Sequence, residues 1–275
     1  MTSAEKAARL LALHHGPAPL LLPNAWDVAS ARALEEMGFP AVATSSAAIA
    51  NGLGYPDGER ISQQEMLAAV ARTAAAVHVP VTADLEAAYG ATAAAMPAFA
   101  QALLAAGAVG LNFEDALPDG SALFPLDLQV ARIAALRAAA TSQGVPLVIN
   151  ARTDAFFLHL PAAFDPFAEA VRRAVAYRAA GADCIFVPGL RDLAVIARLL
   201  QSSPGPLNIL GGPGVPSVPE LARAGVRRIS LGSGPYRAAL GTLRRLAEEL
   251  RGPGTFSTIA AGNVPYAEVN AWLAR

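Results

Sequence analysis

Eight short apolar runs alternate with alanine-rich helical stretches along the chain, and this alternation restricts the fold more than any other feature. We predict strands at 20–24, 41–45, 79–86, 109–115, 147–153, 184–188, 207–212 and 227–233. Helices are predicted near 26–37, 62–77, 92–106, 127–141, 166–180, 190–201, 216–224 and 235–250. Several helices end at a glycine, the residue that a helix C-terminus favours: Gly38, Gly107, Gly144, Gly181 and Gly225.

An eightfold strand-then-helix repeat in 275 residues predicts an α/β protein with the (β/α)₈ TIM barrel fold, whose usual length is about 250 residues. We predict one barrel domain over 1–250, followed by a C-terminal helical appendage over 251–275 that begins with a Gly/Pro break. An open doubly wound sheet is the alternative. It would need a glycine-rich loop after the first strand, where the sequence reads PNAWD.

Composition excludes several classes of protein. Apolar residues make up 54% and charged residues 16% of the chain, which excludes global disorder. Every stretch of about 18 residues contains a Gly, a Pro or a charge, so we expect no membrane span. The net charge of −1 comes with no basic block, so nucleic acid is not an expected partner. The start does not resemble a signal peptide, and the expected location is the cytoplasm.

The single lysine and the single cysteine restrict the chemistry further. Lys6 lies in the first predicted helix, which excludes a Schiff-base lysine in the core and a Walker lysine. Cys184 lies in the apolar run CIFV, where we interpret it as a small buried hydrophobic residue.

Polar residues recur at the ends of three consecutive predicted strands. They alternate along each strand: Thr82, Asp84 and Glu86; Asn112 and Glu114; Asn150 and Arg152. Residues two apart in a strand share a face, and the carboxyl ends of barrel strands form one mouth. We therefore expect Asp84, Glu86, Glu114 and Arg152 to meet there.

Three carboxylates in one confined site need a countercharge, and oxygen ligands select a hard ion such as Mg²⁺ or Mn²⁺. The alternative is that these acids cap helices or pair with arginines. Arg152 has the planar fork that suits a substrate carboxylate or phosphate, and an ion pair with Glu114 is its alternative role.

Two other segments supply candidates near the mouth. The loop TSSAAIANGLGYPDG follows the second strand, where Ser45 and Ser46 could hold an anionic oxygen and Asp57 could approach the ligand. His159 follows the fifth strand closely enough to reach the mouth. We assign the other histidines, His14, His15 and His78, to surface or loop positions.

Together the motifs PNAWDVASARALEEMGFPAVATSS, GYPD, DLEAAYG, NFED and INARTDAF resemble those of the isocitrate lyase and phosphoenolpyruvate mutase superfamily, over roughly residues 18–240. The resemblance implies that Asp84, Glu86 and Glu114 surround Mg²⁺, partly through water, and that Asp57 lies beside the reacting carbon or water. It also implies an oxo acid bound by Ser45, Ser46 and Arg152; Asn112 and Asn150 are further candidates for substrate binding.

Members of that superfamily bind a small 2-oxo or enol carboxylate to the metal and make or break a C–C or P–C bond beside it. The metal stabilises the enolate and so replaces a lysine Schiff base. The resemblance also implies a homo-oligomer, a dimer or tetramer, and the C-terminal segment has apolar residues that need a surface to cover: Val264, Tyr266, Val269 and Trp272.

The sequence departs from the superfamily after the fourth strand. Isocitrate and methylisocitrate lyases carry K-K-C-G-H there and the mutases a Lys and an Asn, whereas this chain reads EDALPDGSALFPLD. Ala88 also stands where DLEAAYG would usually have a glycine. We therefore expect neither parent activity, but Mg²⁺-dependent C–C cleavage, decarboxylation or hydrolysis of a small 2-oxo or 2-hydroxy dicarboxylate. Tyr89, Asp57 or a metal-bound water would be the acid.

Two other functions remain open at this point. The glycine clusters at 211–214 and 231–234 follow the last two strands, where many barrels bind phosphate, so the chain could be a phosphate-ester isomerase or synthase. It could also be a non-catalytic relative that binds oxo acids.

Overall fold

The computed structural model describes residues 1–158, 161, 164–203 and 205–274 and shows a barrel of parallel strands surrounded by helices, which confirms the predicted TIM barrel. The strands within this part are β1 (Leu20–Leu22), β2 (Asn24–Ala25), β3 (Val42–Thr44), β4 (Val81–Asp84), β5 (Gly110–Phe113), β6 (Val148–Arg152), β7 (Cys184–Phe186), β8 (Leu207–Leu210) and β9 (Arg228–Ser230). The helices are α1 (Ser3–Leu13), α2 (Val28–Glu36), α3 (Ser46–Gly52), α4 (Gln63–Ala76), α5 (Met96–Ala105), α6 (Leu126–Ser142), α7 (Pro166–Ala179), α8 (Leu193–Ser202), α9 (Val218–Ala224), α10 (Gly234–Arg251), α11 (Ser257–Gly262) and α12 (Tyr266–Leu273).

The first predicted strand is divided at Pro23 into β1 and β2, and these two strands together close the ring. β1 pairs in parallel with β9, and β2 pairs in parallel with β3, so one extended segment contacts both of its neighbours in turn. Proline has no N–H to donate to a ladder, which explains the break at that residue. The strand order β1-β9-β8-β7-β6-β5-β4-β3-β2 then places all strand carboxyl ends at one mouth.

Local signals set the ends of the helices. Capping boxes start α1 at Thr2 and α4 at Ser62, where a hydroxyl and a glutamate satisfy backbone N–H groups reciprocally. The predicted helix-terminal glycines all have positive φ, between 71° and 107°. Part of the predicted loop after β3 is instead helix α3, because the Ser45 side chain accepts from the N–H of Ala48 and caps it.

Helix α1 closes the opposite end of the barrel. Leu10 is buried with Leu20, Val109 and Val148, which lie at or before the starts of strands. A Cβ at Gly110 would lie 2.7 Å from the Leu10 Cδ2 atom, so the close approach of α1 requires glycine there.

The prediction that His14 lies at the surface or in a loop is wrong. His14 is the C-cap residue of α1 and is fully buried. Its Nδ1 donates to the Leu10 carbonyl at 2.8 Å, and its Nε2 lies 3.4 Å from Nη1 of Arg228. Burial, with Arg228 next in effect, lowers the pKa of His14 from 6.5 to about 3. The ring is therefore neutral in the folded chain at ordinary pH.

The depressed pKa of His14 predicts a pH-dependent stability. The unfolded chain binds one proton more than the folded chain between pH 6.5 and about 3, so the free energy of unfolding falls as pH drops through this window. Between pH 7 and 5, wild type should lose about 2 kcal/mol more than His14→Gln. Urea unfolding at both pH values measures this difference, and parallel losses in the two proteins would contradict it.

The C-terminal segment folds against the barrel. Helix α12 packs on α2, where Nε of Arg32 donates to the Trp272 carbonyl at 2.7 Å. The division of the chain at residue 250 remains a prediction.

Cys184 is fully buried as predicted, and burial raises its pKa to about 12. None of the helices in the described ranges has both the length and the apolar character needed to cross a bilayer.

Candidate functional site

A cavity of about 260 Å³ lies at the carboxyl ends of the strands. Its acidic lining residues are Asp57, Glu59, Asp84, Glu86, Glu114 and Asp154. Among the described residues that line it, Arg152 is the only basic side chain. The predicted meeting of Asp84, Glu86, Glu114 and Arg152 at one mouth is therefore what the structure shows, and the cavity has an excess of negative charge.

Asp84, the last residue of β4, is held from two neighbouring elements. Its Oδ2 accepts from the hydroxyl of Ser46 at 2.9 Å and from the Ser46 N–H at 3.2 Å. Its Oδ1 accepts from Nδ2 of Asn112 at 3.3 Å. Ser45 and Ser46 both line the cavity, but Ser45 caps α3 whereas Ser46 directly orients Asp84.

Glu86 lies in an unusual backbone turn just after β4. Its φ is +53°, and Ala88 and Tyr89 are also left-handed, at +65° and +52°. Glu86 Oε2 accepts from the N–H of Glu59, while Oε1 is buried without a hydrogen-bond partner among the described residues. Burial, followed by Asp57 and then Asp84, raises the pKa of Glu86 to about 8. Burial also raises the pKa of Asp57, and Asp84 adds to this effect.

Arg152 is surrounded by partners. Its Nη1 donates to Glu114 Oε1 at 2.6 Å, and its Nε and Nη2 donate to the two Asp154 oxygens at 2.7 and 3.1 Å. The rings of Phe157 and Phe186 flank the guanidinium, with centroids 5.4 and 5.6 Å from Cζ. The ion pair with Glu114, the alternative role for Arg152, is confirmed. Three of its five N–H groups are engaged, and two remain for a ligand.

Two candidates lie outside the cavity lining. Asn150 is fully buried below it and donates through Nδ2 to Oδ1 of Asn112 at 2.7 Å. The Tyr89 hydroxyl is buried without a partner among the described residues, and burial together with Glu86 raises the pKa of Tyr89. His159 lies outside the described residues.

The sequence reasoning missed Glu59, Asp154 and Arg228. Asp154 continues the alternation of Asn150 and Arg152, so strand parity could have identified it. Arg228 is fully buried inside the barrel and donates through Nη2 to Asn112 Oδ1 at 3.1 Å. Arg228 lies two residues before Ser230 in β9, so the two share a face of the strand, and this spacing could have identified Arg228. Glu59 had no signal, because only the fold brings its loop beside Glu86 and the N–H of Tyr89.

A buried network fixes the loop that departs from the superfamily pattern. Asp115 accepts from Tyr177 Oη at 2.7 Å, from Arg173 Nη1 at 3.1 Å and from the Asp154 N–H at 2.9 Å. An antiparallel bridge joins Ala116 to Leu123 farther along the same loop. The loop is therefore an ordered part of the cavity wall.

The chemistry of the lining residues fits a divalent cation. Asp84, Glu86 and Glu114 line one cavity, Glu86 keeps an unpartnered buried oxygen, and the only basic side chain among the described lining residues is already paired. Carboxylate oxygens are ligands that Mg²⁺ prefers. No three His, Cys, Asp or Glu side chains among the described residues are gathered closely enough to enclose an ion by themselves.

Comparison with known proteins identifies the family. A family model described as phosphoenolpyruvate phosphomutase matches residues 10–251. The chain belongs to the phosphoenolpyruvate phosphomutase family. It is thus an enzyme of the isocitrate lyase/PEP mutase superfamily, whose members cleave or rearrange carbon–carbon and carbon–phosphorus bonds.

Three relatives of this phosphomutase-family chain show how far the similarity extends. A structure from Burkholderia cenocepacia J2315 described as a lyase/mutase has a TM-score of 0.91 and 36% identity, covering 99% of this chain and 97% of that chain. The oxaloacetate decarboxylase of Bradyrhizobium diazoefficiens is 30% identical over 257 residues, 91% of this chain and 87% of that protein. A phosphonopyruvate hydrolase in complex with oxalate and Mg²⁺ has a TM-score of 0.84 and 25% identity, covering 100% of this chain and 95% of that chain.

Because Asp154 pairs with Arg152, we expect removal of the Asp154 carboxylate to lower the free energy of unfolding strongly. Asp154 is 1% exposed, so Asp154→Ala would leave Nε of a mostly buried guanidinium unpaired. We expect a loss of about 3 kcal/mol in the free energy of unfolding, measured in urea. The control is Glu248→Gln, which removes an exposed pair with Arg244 and should cost less than about 0.5 kcal/mol. Equal effects of the two variants would contradict the buried pairing.

Proposed function

We propose that this enzyme is a Mg²⁺-dependent lyase that cleaves a C–C bond of a small 2-oxo or 2-hydroxy carboxylate through an enolate. The observation that supports this most is the unpartnered buried oxygen of Glu86 beside Asp84, in a cavity whose described lining has six carboxyl groups and one guanidinium. The relatives that bear the names oxaloacetate decarboxylase and phosphonopyruvate hydrolase support the same substrate class.

In this proposal, different side chains of the cavity bind the metal and the substrate. Asp84, Glu86 and Glu114 hold the metal, Mg²⁺ or Mn²⁺, and Ser46 orients Asp84. The bound metal supplies Lewis-acid stabilisation of the charge that develops on the substrate oxygen. The two unengaged N–H groups of Arg152 bind the substrate carboxylate, because the planar fork can donate in parallel to both of its oxygens. Ser45 and Asn112 complete the polar lining at this end.

Asp57 is the proposed proton carrier. It lines the cavity in the loop between α3 and α4, and burial, followed by the neighbouring Asp84, raises its pKa. A carboxyl group positioned at the reacting atoms can transfer a proton. The sequence left the acid open among Tyr89, Asp57 and a metal-bound water. Tyr89 does not line the cavity, and we give the role to Asp57. The ordered loop after β5 contains no Lys, Cys or His, which argues against isocitrate cleavage and phosphoryl migration.

The alternative of a phosphate-ester enzyme is less well supported. A phosphate cradle after the last strand would need free backbone N–H groups. The N–H groups of Leu231 and Gly232 both donate to Asn24 Oδ1 at 2.8 Å, and the N–H of Gly211 donates to the Ser230 carbonyl. These donors are occupied within the chain.

Removal of the central carboxylate tests the metal assignment. Asp84→Ala should lower Mg²⁺ affinity on the order of 100-fold or more, because Asp84 is the central carboxylate of the proposed ligand set. Isothermal titration calorimetry of the purified protein measures this change. Asp119→Ala is the matched control, since Asp119 is an exposed acid in the loop after β5 that bonds only to Ser121 in the described hydrogen bonds. Equal Mg²⁺ affinity in wild type and Asp84→Ala would refute the assignment.

We also propose that the chain is a homo-oligomer built through its C-terminal helices. No residue of α10 is buried, although it is an 18-residue helix with Leu240 and Leu243 exposed at 45% and 59%. Phe256 and Tyr266, beyond it, are exposed at 66% and 86%. Exposed apolar area of this extent is typical of a surface that a partner covers.

Sedimentation at micromolar concentration tests this proposal. Wild type should sediment as a dimer or larger, and Leu243→Arg should shift it towards the mass of one chain, 28.2 kDa. The control is Val175→Arg on α7, a residue 52% exposed and distant in sequence from these helices, which should leave the mass unchanged. A wild-type mass near 28.2 kDa would contradict the proposal.

A further inference from the structure

The turn after β4 contains three residues in the left-handed backbone conformation, and none of them is glycine. Glu86, Ala88 and Tyr89 have φ of +53°, +65° and +52°. In this region the Cβ atom of an L-residue crowds the backbone, so each such residue raises the free energy of the turn. Other contacts must therefore hold the turn in this shape, and with it Glu86, a proposed metal ligand.

Glu59 bonds this turn at two points. Its backbone N–H donates to Oε2 of Glu86, and its own Oε1 accepts from the N–H of Tyr89 at 2.9 Å. Within the described part of the chain, no second donor reaches the Glu86 carboxylate, and Oε1 of Glu86 has no hydrogen-bond partner. One residue thus holds both the side chain of Glu86 and the far end of its turn.

The other contacts to the turn from outside it reach its carbonyl groups. Nη2 of Arg132 donates to the Ala87 carbonyl, and the N–H of Glu114 donates to the Glu86 carbonyl at 3.0 Å. Neither hydrogen bond involves the carboxylate that would bind the metal or the N–H at the end of the turn. Those two groups are bonded by Glu59.

Glu59 also ties the turn to the loop of the proposed proton carrier. Asp57 lies two residues before Glu59, in the loop between α3 and α4. Gly58 and Glu59 are both left-handed, with φ of +95° and +54°. This bend lets Glu59 bond the turn after β4 while Asp57 lines the cavity.

We infer that Glu59 is a positioning residue, whose two hydrogen bonds hold the strained turn in the conformation that places the Glu86 carboxylate at the metal site. Oε2 of Glu86 is engaged by this contact, and Oε1 is left for the cation. The inference rests on the proposed function, since the metal gives the position of Glu86 its use. Glu59 itself acts through Glu86 and does not bind the ion.

Calorimetric titration with Mg²⁺ tests the inference first in two single variants. Glu59→Ala should lower Mg²⁺ affinity about tenfold or more, the effect typical of losing the partner of a metal ligand. Glu59→Gln is the matched control, because its amide oxygen can still accept from the Tyr89 N–H, and it should stay within about threefold of wild type. Loss of a negative charge alone would weaken binding equally in both variants.

A glycine at position 88 should rescue the loss. Glycine adopts positive φ without the steric cost of alanine, so the turn depends less on Glu59. The double variant Glu59→Ala/Ala88→Gly should recover about fivefold of the affinity that Glu59→Ala loses. Ala88→Gly alone should bind Mg²⁺ as wild type does. A role of Glu59 in overall stability alone would lower the free energy of unfolding without this pattern in Mg²⁺ affinity.

Amide hydrogen exchange measures the contact without metal. The N–H of Tyr89 should exchange faster in Glu59→Ala than in wild type or Glu59→Gln, because its acceptor is removed. The N–H of Ala88, which donates to the Leu85 carbonyl at 2.9 Å inside the turn, shows whether the turn as a whole has loosened. We expect its exchange to rise in Glu59→Ala and to fall back in the double variant.

The outcomes separate the inference from the function on which it rests. If wild type fails to bind Mg²⁺, the proposed function fails. If wild type binds Mg²⁺ and Glu59→Ala binds it equally well, Glu59 does not position Glu86, while the proposed function stands. Equal losses in Glu59→Ala and Glu59→Gln, or no recovery in the double variant, would also overturn the inference, because the charge of Glu59 would then act on the ion directly.

Discussion

The site depends on an excess of negative charge that the folded chain does not balance by itself. Six carboxyl groups and one guanidinium line the cavity among the described residues, and several of these acids are buried. Burial, with the neighbouring carboxyl groups of Asp57 and Asp84 next in effect, raises the pKa of Glu86 to about 8. A divalent cation relieves this repulsion, and the same cation is what an enolate requires. The electrostatic cost of gathering these acids and the proposed chemistry of the site thus have one origin.

The barrel makes this arrangement possible by fixing the acids from several sides. Ser46 and Asn112 hold the two oxygens of Asp84, and Asn150 and Arg228 hold Asn112 from within the barrel. These contacts come from three other strands, β5, β6 and β9, and from the start of α3, so no single loop movement releases Asp84. By contrast Asp57, the proposed proton carrier, lies in the loop between α3 and α4, outside the strands that hold Asp84.

Strand parity and the period of the alternation accounted for most of the fold and for the central acids. Asp84 and Asn112 could be placed together because side-chain direction alternates in a strand and barrel strands share one mouth. Glu86, predicted as the end of the same strand as Asp84, instead reaches the cavity from a left-handed turn after β4, and Glu114 follows the end of β5. Contacts between loops could not be predicted this way. Glu59 reaches Glu86 only through two left-handed turns, and His14 is buried because the apolar face of α1, with Ala7 and Leu10, packs below the strands. Neither contact leaves a local pattern in the sequence.

The departure from the superfamily is also clearer in the structure than in the sequence. The sequence shows that the loop after the fourth predicted strand lacks Lys, Cys and His. The structure adds that this loop is ordered through Asp115, Arg173 and Tyr177 and gives the cavity Leu117 and Pro118. The loop that lacks Lys, Cys and His thus contributes apolar side chains to the cavity.

The central claim is that the carboxylates at the barrel mouth hold a divalent cation that in turn holds a 2-oxo carboxylate. Crystals grown with Mn²⁺ and oxalate test this most directly, because the anomalous signal of manganese locates the ion without ambiguity from water. We expect one strong anomalous peak beside Asp84, within direct or water-mediated reach of Glu86 and Glu114. Oxalate should lie between the ion and Arg152. Oxalate bound at the mouth with no manganese beside Asp84, or manganese bound elsewhere on the chain, would contradict it.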